Sequence, residues 1–390
     1  MKLFQKILII IALLFGLFVR LYKINGPVAD WHSFRQADTA SVTRNFLERG
    51  IDLLHPTYHD LSNVQSGVDN PLGYRMVEFP IYNALTVVIY RPLHQFLPQL
   101  TLEEASRIIN ISFSIGSALL IYLICFRLTS EFWPSFLALS VFLFLPFNIY
   151  YSRVILPEPS AIFFMLLTLY LFPIFPIISA IPFALSILIK PYTAIIIFPL
   201  LVFFSIRKSY FLNLKSIFRL FIFSLLSLLP FYLWRNWITQ FPEGIPKSDW
   251  LFFFDPNFRK TVWWHGYNIS WIYPLVTFKP YWWRWLFYER LTQLILGAFG
   301  IIPFLLGFAY RKKNSQPFTI LSFVGIFIYF AVVAGGNVRH DYYQSLTTPF
   351  ISIILGFGLY YLTNFVFKSK IVVSLIALTI FCSAFAVSLE

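Results

Sequence analysis

The chain has 390 residues, 58% hydrophobic and only 12% charged, with a mean hydropathy of +0.71. Soluble domains carry about 25% charged residues. Here the apolar residues run in long blocks, which excludes a soluble globular enzyme and predicts an all-α polytopic membrane protein. The net charge of +13 would suggest nucleic acid in a soluble chain; in a membrane protein topology distributes it between loops, and no nucleic-acid partner is expected.

The first apolar run, 3–21, follows Lys2 and Lys6 and is not followed by a small-x-small cleavage site. It reads as a retained first span, with Arg20 snorkelling at its far end. A long polar stretch, 22–106, comes next and opens with ADWHSFRQADTASVTRNFLERG over 29–50. Within it, FPIYNALTVVIYRPLHQFL (79–97) has an apolar core of about half the length a span needs. Further spans are predicted at 107–126, 132–150, 160–175, 177–189, 192–206 and 217–234. After a second polar stretch, 235–290, come 291–310, 318–334, 346–362 and 371–389.

Positive charge decides whether 79–97 crosses. If it lies on the membrane surface, Lys2, Lys6, Arg127, the 207–219 cluster, 311–313, Lys368 and Lys370 all face one side. If it spans, every later cluster flips. The positive-inside rule therefore predicts eleven spans, an interfacial 79–97, a cytoplasmic N-terminus and both polar stretches outside. No internal repeat is visible, and the chain ends soon after the last span, so a single membrane-embedded domain over 1–390 without a soluble C-terminal part is expected. Cys125 and Cys382 sit in apolar runs and read as reduced packing residues.

This topology gathers polar groups on the outer face. The first loop contributes Asp30, His32, Arg35, Asp38 and Glu78; YYSRVILPEP contributes Arg153 and Glu158; LIKPY contributes Lys190; GGNVRHDYYQ contributes Arg339, His340, Asp341, Tyr342 and Tyr343. Charges at span ends are commonly just solvated, and a lone His340 is an ordinary structural histidine. The whole set is harder to dismiss, because the cytoplasmic loops hold mainly plain Lys/Arg clusters. The second stretch is dense in Trp and Tyr, from Trp250 through Trp263, Trp264, Tyr267, Trp271 and Tyr273 to Trp282, Trp283 and Trp285. Its YWWRW end reads as an interfacial aromatic belt, and the remainder could stack on a sugar or lipid. No Walker A, G-x-S-x-G or zinc-protease pattern occurs.

Several stretches in this order carry a resemblance: DWHSFRQADTASVTRNFLERG, GYRMVEFPIYNAL, RIINISFSIGSALLIYLICFRL, LPFNIYYSRVILPEPSAIFFMLL, ILIKPYTAIIIFPLL and RHDYYQSLTTPFISIILG. Together they resemble the membrane-embedded glycosyltransferases of the GT-C superfamily, in particular the family 39-like group of protein mannosyltransferases and lipid A aminoarabinose transferases. The resemblance implies a GT-C type bundle of about eleven helices with interfacial helices in the large first extracytoplasmic loop. It also implies a polyprenyl-phosphate-linked sugar as donor, an acceptor hydroxyl on a glycan, lipid or protein, and transfer with inversion, in a prokaryotic plasma membrane. A first-loop aspartate would be the general base.

Relatives carry Asp-Glu beyond the first span, whereas neither Asp30 nor Asp38 is followed by Glu. Counting from RLYKINGP favours Asp30; Asp38, near Arg35, is the alternative, as a paired acid or part of the acceptor site. Glu158 falls at the family's second acidic position. Arg339 and Lys190, then Arg153, with Tyr342 and Tyr343, are expected to hold the lipid phosphate, and His32, Arg35 and Glu78 to support the first loop. No cofactor is required; a divalent metal has Glu78 and His340 as its candidate pair. The competing class is a transporter or flippase of a lipid-linked precursor, which would be expected to show repeats and charges at mid-membrane.

Overall fold

The computed structural model describes residues 2–208, 213–248, 251 and 280–387. It is built from helices, and among the described residues the only β-pairing is a bridge between Thr57 and Tyr74. We number the helices α1 Leu3–Arg20, α2 Ser33–Arg49, α3 Ile81–Phe96, α4 Leu102–Thr129, α5 Phe132–Phe144, α6 Pro146–Tyr151, α7 Glu158–Leu171, α8 Ala180–Ile189, α9 Tyr192–Arg207 and α10 Leu214–Trp237. After these come α11 Ile301–Leu306, α12 Ser315–Val332, α13 Ala334–Arg339, α14 Thr348–Tyr361 and α15 Lys370–Val387. A π-helical segment, Arg284–Ile295, precedes α11, and a 3-10 segment, Asp341–Thr347, precedes α14.

Six helical stretches among the described residues are long and apolar enough to cross a membrane: Leu3–Arg20, Leu102–Thr129, Leu214–Gln240, Ser315–Val332, Asp341–Val366 and Lys370–Val387. Shorter apolar helices, α5 and α7–α9, fill in the bundle between them. The chain is an integral membrane protein. α14 runs through its centre, with every residue from Thr348 to Leu359 buried. A Cβ on Gly356 would stand 2.6 Å from the Ala138 Cα of α5, and one on Gly358 would meet the Pro303 carbonyl of α11. Small residues thus let three backbones touch, as in membrane bundles where lipid gives no hydrophobic drive for helices to associate.

Prolines shape the elements near the site. The residue before a proline is pushed out of the α region. Leu145 accordingly turns to φ −59, ψ 122 before Pro146, so the expected run 132–150 becomes two helices, α5 and α6. Lys190 is extended (φ −143, ψ 99) before Pro191 and separates α8 from α9. The expected span 291–310 is also divided: the π-helical segment ends in a turn where Gly297 and Ala298 have positive φ, and only Ile301–Leu306 resumes as α-helix.

The first loop holds two helices. α2 is polar but buries one face, Arg35, Gln36, Thr39, Val42, Thr43 and Phe46, at helical spacing. α3 covers that face, and its Asn83 amide donates to the Thr39 carbonyl and to Thr43 Oγ1, both at 2.8 Å. Arg20 does not snorkel as expected. It is fully buried, its Nε donating to Ser152 Oγ at 2.7 Å and its Nη1 to the carbonyls of Gly16 and Leu143 at 2.8 and 2.9 Å. Its guanidinium satisfies the carbonyl of Leu143, just before the break at Pro146, so the charge is held by backbone dipoles rather than by water.

The connections α1–α4, α6–α7, α8–α9 and α12–α14 meet at one end of the bundle. Phe79 N donates to Leu188 O at 3.0 Å, and Met76 N to Gly244 O at 2.8 Å. The opposite end carries the basic clusters and is closed by Glu131, which pairs with Lys312 at 2.9 Å and accepts from the Tyr310 hydroxyl at 2.7 Å.

Candidate active site

Three ion pairs form the buried centre of the connecting end. Lys190 Nζ lies 2.7 Å from Glu158 Oε1, with the two side chains 8% and 3% exposed. Pro191 presents Lys190 in an extended conformation, and Glu158 occupies the first turn of α7, where a carboxylate complements the helix N-terminus. Arg35 from α2 pairs with Glu78, and Arg75 lies 2.9 Å from Asp38 Oδ2. Burial, the largest single effect, pulls the Arg35 guanidinium down, but Glu78 together with Tyr342, Glu158 and Asp38 outweighs it and raises its pKa. Burial would raise the Glu78 carboxyl, yet Arg35, Lys190 and Arg75 together hold it below the usual carboxylate range. Arg75 is lowered by burial and by the adjacent charge of Arg35. Glu78 Oε2 and Glu158 Oε2 are both buried without a hydrogen-bond partner. In such a place an acceptor atom costs free energy until a donor reaches it.

Beside this centre, Asp341 gathers the outer segments. Its carboxylate accepts from Trp31 Nε1 at 3.0 Å and from the Tyr151 hydroxyl at 2.6 Å, contacts His32 Nε2, and has Arg290 at 3.7 Å. His32 caps α2 in the left-handed conformation, φ 58, ψ 34, a strained backbone that costs about 1–2 kcal/mol outside glycine. Its ring packs edge-on against Tyr342 and His340, 4.9 and 5.5 Å away. His340 stacks on Tyr342 at 5.4 Å, and burial, with the neighbouring His32, lowers its pKa to about 4, so it is neutral near pH 7. Tyr343 lies 5.9 Å below Lys190 Nζ.

Asp30 stands apart from the ion pairs. It is exposed, with Oδ1 accepting from Gln36 Nε2 at 2.6 Å, while Gln36 Oε1 accepts from the backbone N–H of Ile155 at 3.1 Å. It faces a cavity of about 320 Å³ that it shares with Lys23, Arg107, Tyr150 and Arg153.

Of the residues singled out from sequence, His32, Arg35, Glu78, Glu158, Lys190, His340, Tyr342 and Tyr343 come together. Asp38 joins them as the partner of Arg75, Asp30 and Arg153 share the separate cavity, and Arg339 ends α13 with its side chain exposed. Glu78 is turned to Arg35 and His340 to aromatic rings, and among the described residues no group of three or more His, Cys, Asp or Glu is placed to hold a metal. Sequence reading gave no role to Arg75, Gln36, Tyr151 or Asp341. Only Asp341 had a signal, its place in RHDYY. In the aromatic-rich stretch, Trp282 is buried and donates Nε1 to Phe330 O at 3.3 Å, whereas Trp283 is exposed. Trp250, Trp263, Trp264, Tyr267, Trp271 and Tyr273 lie outside the described residues.

No protein-family model matches the chain, and no curated protein sequence matches it. Solved structures do. ArnT from Cupriavidus metallidurans, bound to undecaprenyl phosphate, aligns over 97% of this chain and 64% of its own, with a TM-score of 0.61 at 15% identity. The archaeal oligosaccharyltransferase AglB from Archaeoglobus fulgidus, in complex with an inhibitory peptide and a dolichol-phosphate, aligns over 99% of this chain and 55% of its own, with a TM-score of 0.56 at 12% identity. Both are GT-C superfamily members, and this chain has their fold. It spans less than two thirds of the length of either.

Proposed function

We propose that the chain is an inverting glycosyltransferase, moving a hexosyl or pentosyl unit from a polyprenyl-phosphate carrier to an acceptor hydroxyl on the extracytoplasmic face of a prokaryotic plasma membrane. The observation that carries the proposal is the buried cluster of Arg35, Glu78, Glu158 and Lys190, assembled at one end of a GT-C fold with two carboxylate oxygens awaiting donors. A polyhydroxyl sugar supplies such donors. The fold is shared with structures that hold undecaprenyl phosphate or dolichol-phosphate, which supports a lipid-phosphate carrier.

In this reading Asp30 takes the acceptor's hydroxyl proton as the oxygen attacks the anomeric carbon. The bond from that carbon to the carrier phosphate breaks, and its electron pair leaves on the phosphate oxygen. Arg339, with Lys190, Tyr342 and Tyr343, is the group for the departing phosphate, whose charge grows through the reaction. Asp38 is held by Arg75 and Gln65 and supports the first loop. This step draws on no metal; Glu78 and His340 stay the candidate pair for a divalent cation, with Glu78 Oε1 held by Arg35 and its Oε2 without a hydrogen-bond partner.

Separate Asp30→Asn and Asp38→Asn variants test the assignment in a transfer assay with a polyprenyl-phosphate sugar. Loss of a general base should slow transfer by about 10²–10⁴-fold in the Asp30 variant. The Asp38 variant should chiefly lower the thermal midpoint. Full activity in Asp30→Asn removes Asp30 from the role.

A further inference from the structure

The cavity that Asp30 faces carries more positive charge than its own chemistry requires. Lys23, Arg107 and Arg153 reach it from three parts of the chain, against the single carboxylate of Asp30. Arg107 is committed to the fold: it donates to the carbonyls of Ile24 and Gly26 at 2.6 Å and of Pro27 at 3.3 Å, fastening the loop after α1 to α4. Arg153 gives one amino group to the Tyr22 carbonyl and lies 5.9 Å from the Tyr150 ring; Lys23 is exposed, 5.5 Å from the Tyr22 ring. Neither forms an ion pair among the described residues.

Inversion constrains what these cations can serve. In an in-line displacement the base and the attacking hydroxyl lie on one side of the anomeric carbon, and the leaving phosphate on the other. A compartment that contains the base is therefore the acceptor's. Cations within it are on the wrong side to stabilise the carrier phosphate, so they answer to charge on the acceptor itself.

Resting on Asp30 as the base, we infer that this cavity is the acceptor compartment and that it takes an acceptor bearing a phosphate ester close to its reactive hydroxyl. Lys23 and Arg153 bind the ester, and the volume, about 320 Å³, falls at the lower end of small-ligand pockets, about 300–1,000 Å³. It fits a sugar-phosphate headgroup. Arg153 thereby moves from the donor side, where the family resemblance put it, to the acceptor side.

The test uses the full chain in nanodiscs of zwitterionic lipid. Octyl glucopyranoside and its 6-phosphate, both below their micellar concentrations, are titrated separately, and protection of Lys23 from an amine-acylating reagent is read by mass spectrometry. The phosphate ester should bind about tenfold more tightly at low salt and should protect Lys23. Lys23→Gln, an exposed change that does not threaten folding, should lower ester binding, read by calorimetry, part of the way toward that of the neutral glycoside, Arg153 keeping the remainder. Equal binding of the two probes by the wild-type protein overturns the inference. So does displacement of the ester from Lys23 by undecaprenyl phosphate, which would make the cavity the carrier's. Asp30→Asn separates inference from premise: ester binding with transfer abolished upholds both, and ester binding with transfer at full rate overturns the acceptor assignment through the base on which it rests.

Discussion

A single carboxylate, Asp341, joins segments more than 300 residues apart in sequence. It holds Trp31 and His32 of the first loop to Tyr151 of α6, with Arg290 alongside. Removing an acceptor strands its donors, at about 1–3 kcal/mol for each buried group. Asp341→Ala should therefore lower unfolding free energy by about 3 kcal/mol, read as a clearly lower thermal midpoint in detergent. Asp341→Asn keeps one acceptor oxygen and should recover part of the loss. A wild-type midpoint in the alanine variant would show that these bonds contribute nothing. At this scale the sequence was informative about residue types and about Lys190, whose extended backbone follows from Pro191. It could not reveal that Arg20 is buried, because snorkelling and backbone capping need the same arginine at the same span end. What decides is the broken backbone of α5, which offers the Leu143 carbonyl.

Among the elements, the pair α2 and α3 sets the site's geometry. α2 brings Asp30 and His32 at its start and Arg35 in its first turn, and α3 follows directly on Glu78. Asn83 is the polar bolt between them. Asn83→Ala should cost about 1–3 kcal/mol and loosen α2 on α3, seen as faster amide exchange over 36–46. Unchanged exchange there would mean that the apolar contacts of Val42, Phe46 and Val87 suffice. α3, Ile81–Phe96, is not among the stretches long and apolar enough to cross, and that 79–97 is too short to be a span was legible from its brief apolar core. The helical start of α2 was not, since a helix with a buried polar face has no apolar stripe to betray it. The division of 291–310 was equally hidden: a π-helical segment conserves composition and changes only the register of its hydrogen bonds.

At the scale of the whole molecule, the bundle has two chemically different ends. The connecting end carries the site, and the other carries Glu131, Lys312 and the remaining basic clusters. The positive-inside rule assigns the basic end to the cytoplasm. A cysteine introduced at Val64, which is 83% exposed in the first loop, should react with an impermeant maleimide added to intact cells. One at Lys208, exposed past the end of α9, should react only after permeabilisation, with Cys382 changed to serine in both. The reverse pattern would invert the topology and move the proposed chemistry inside.

Hydropathy by itself determined that this is a helical membrane protein, and charge placement predicted that its candidate residues share one face. Both signals are local sums along the chain, and the bilayer reads them segment by segment. Which candidates meet was decided only by the tertiary structure. Glu158 pairs with Lys190, Glu78 with Arg35 and Asp38 with Arg75, while Asp30 opens onto its own cavity. Each of these outcomes depends on the broken helices and loop helices that bring distant segments into contact, and a buried charge takes whichever partner the packing leaves within reach.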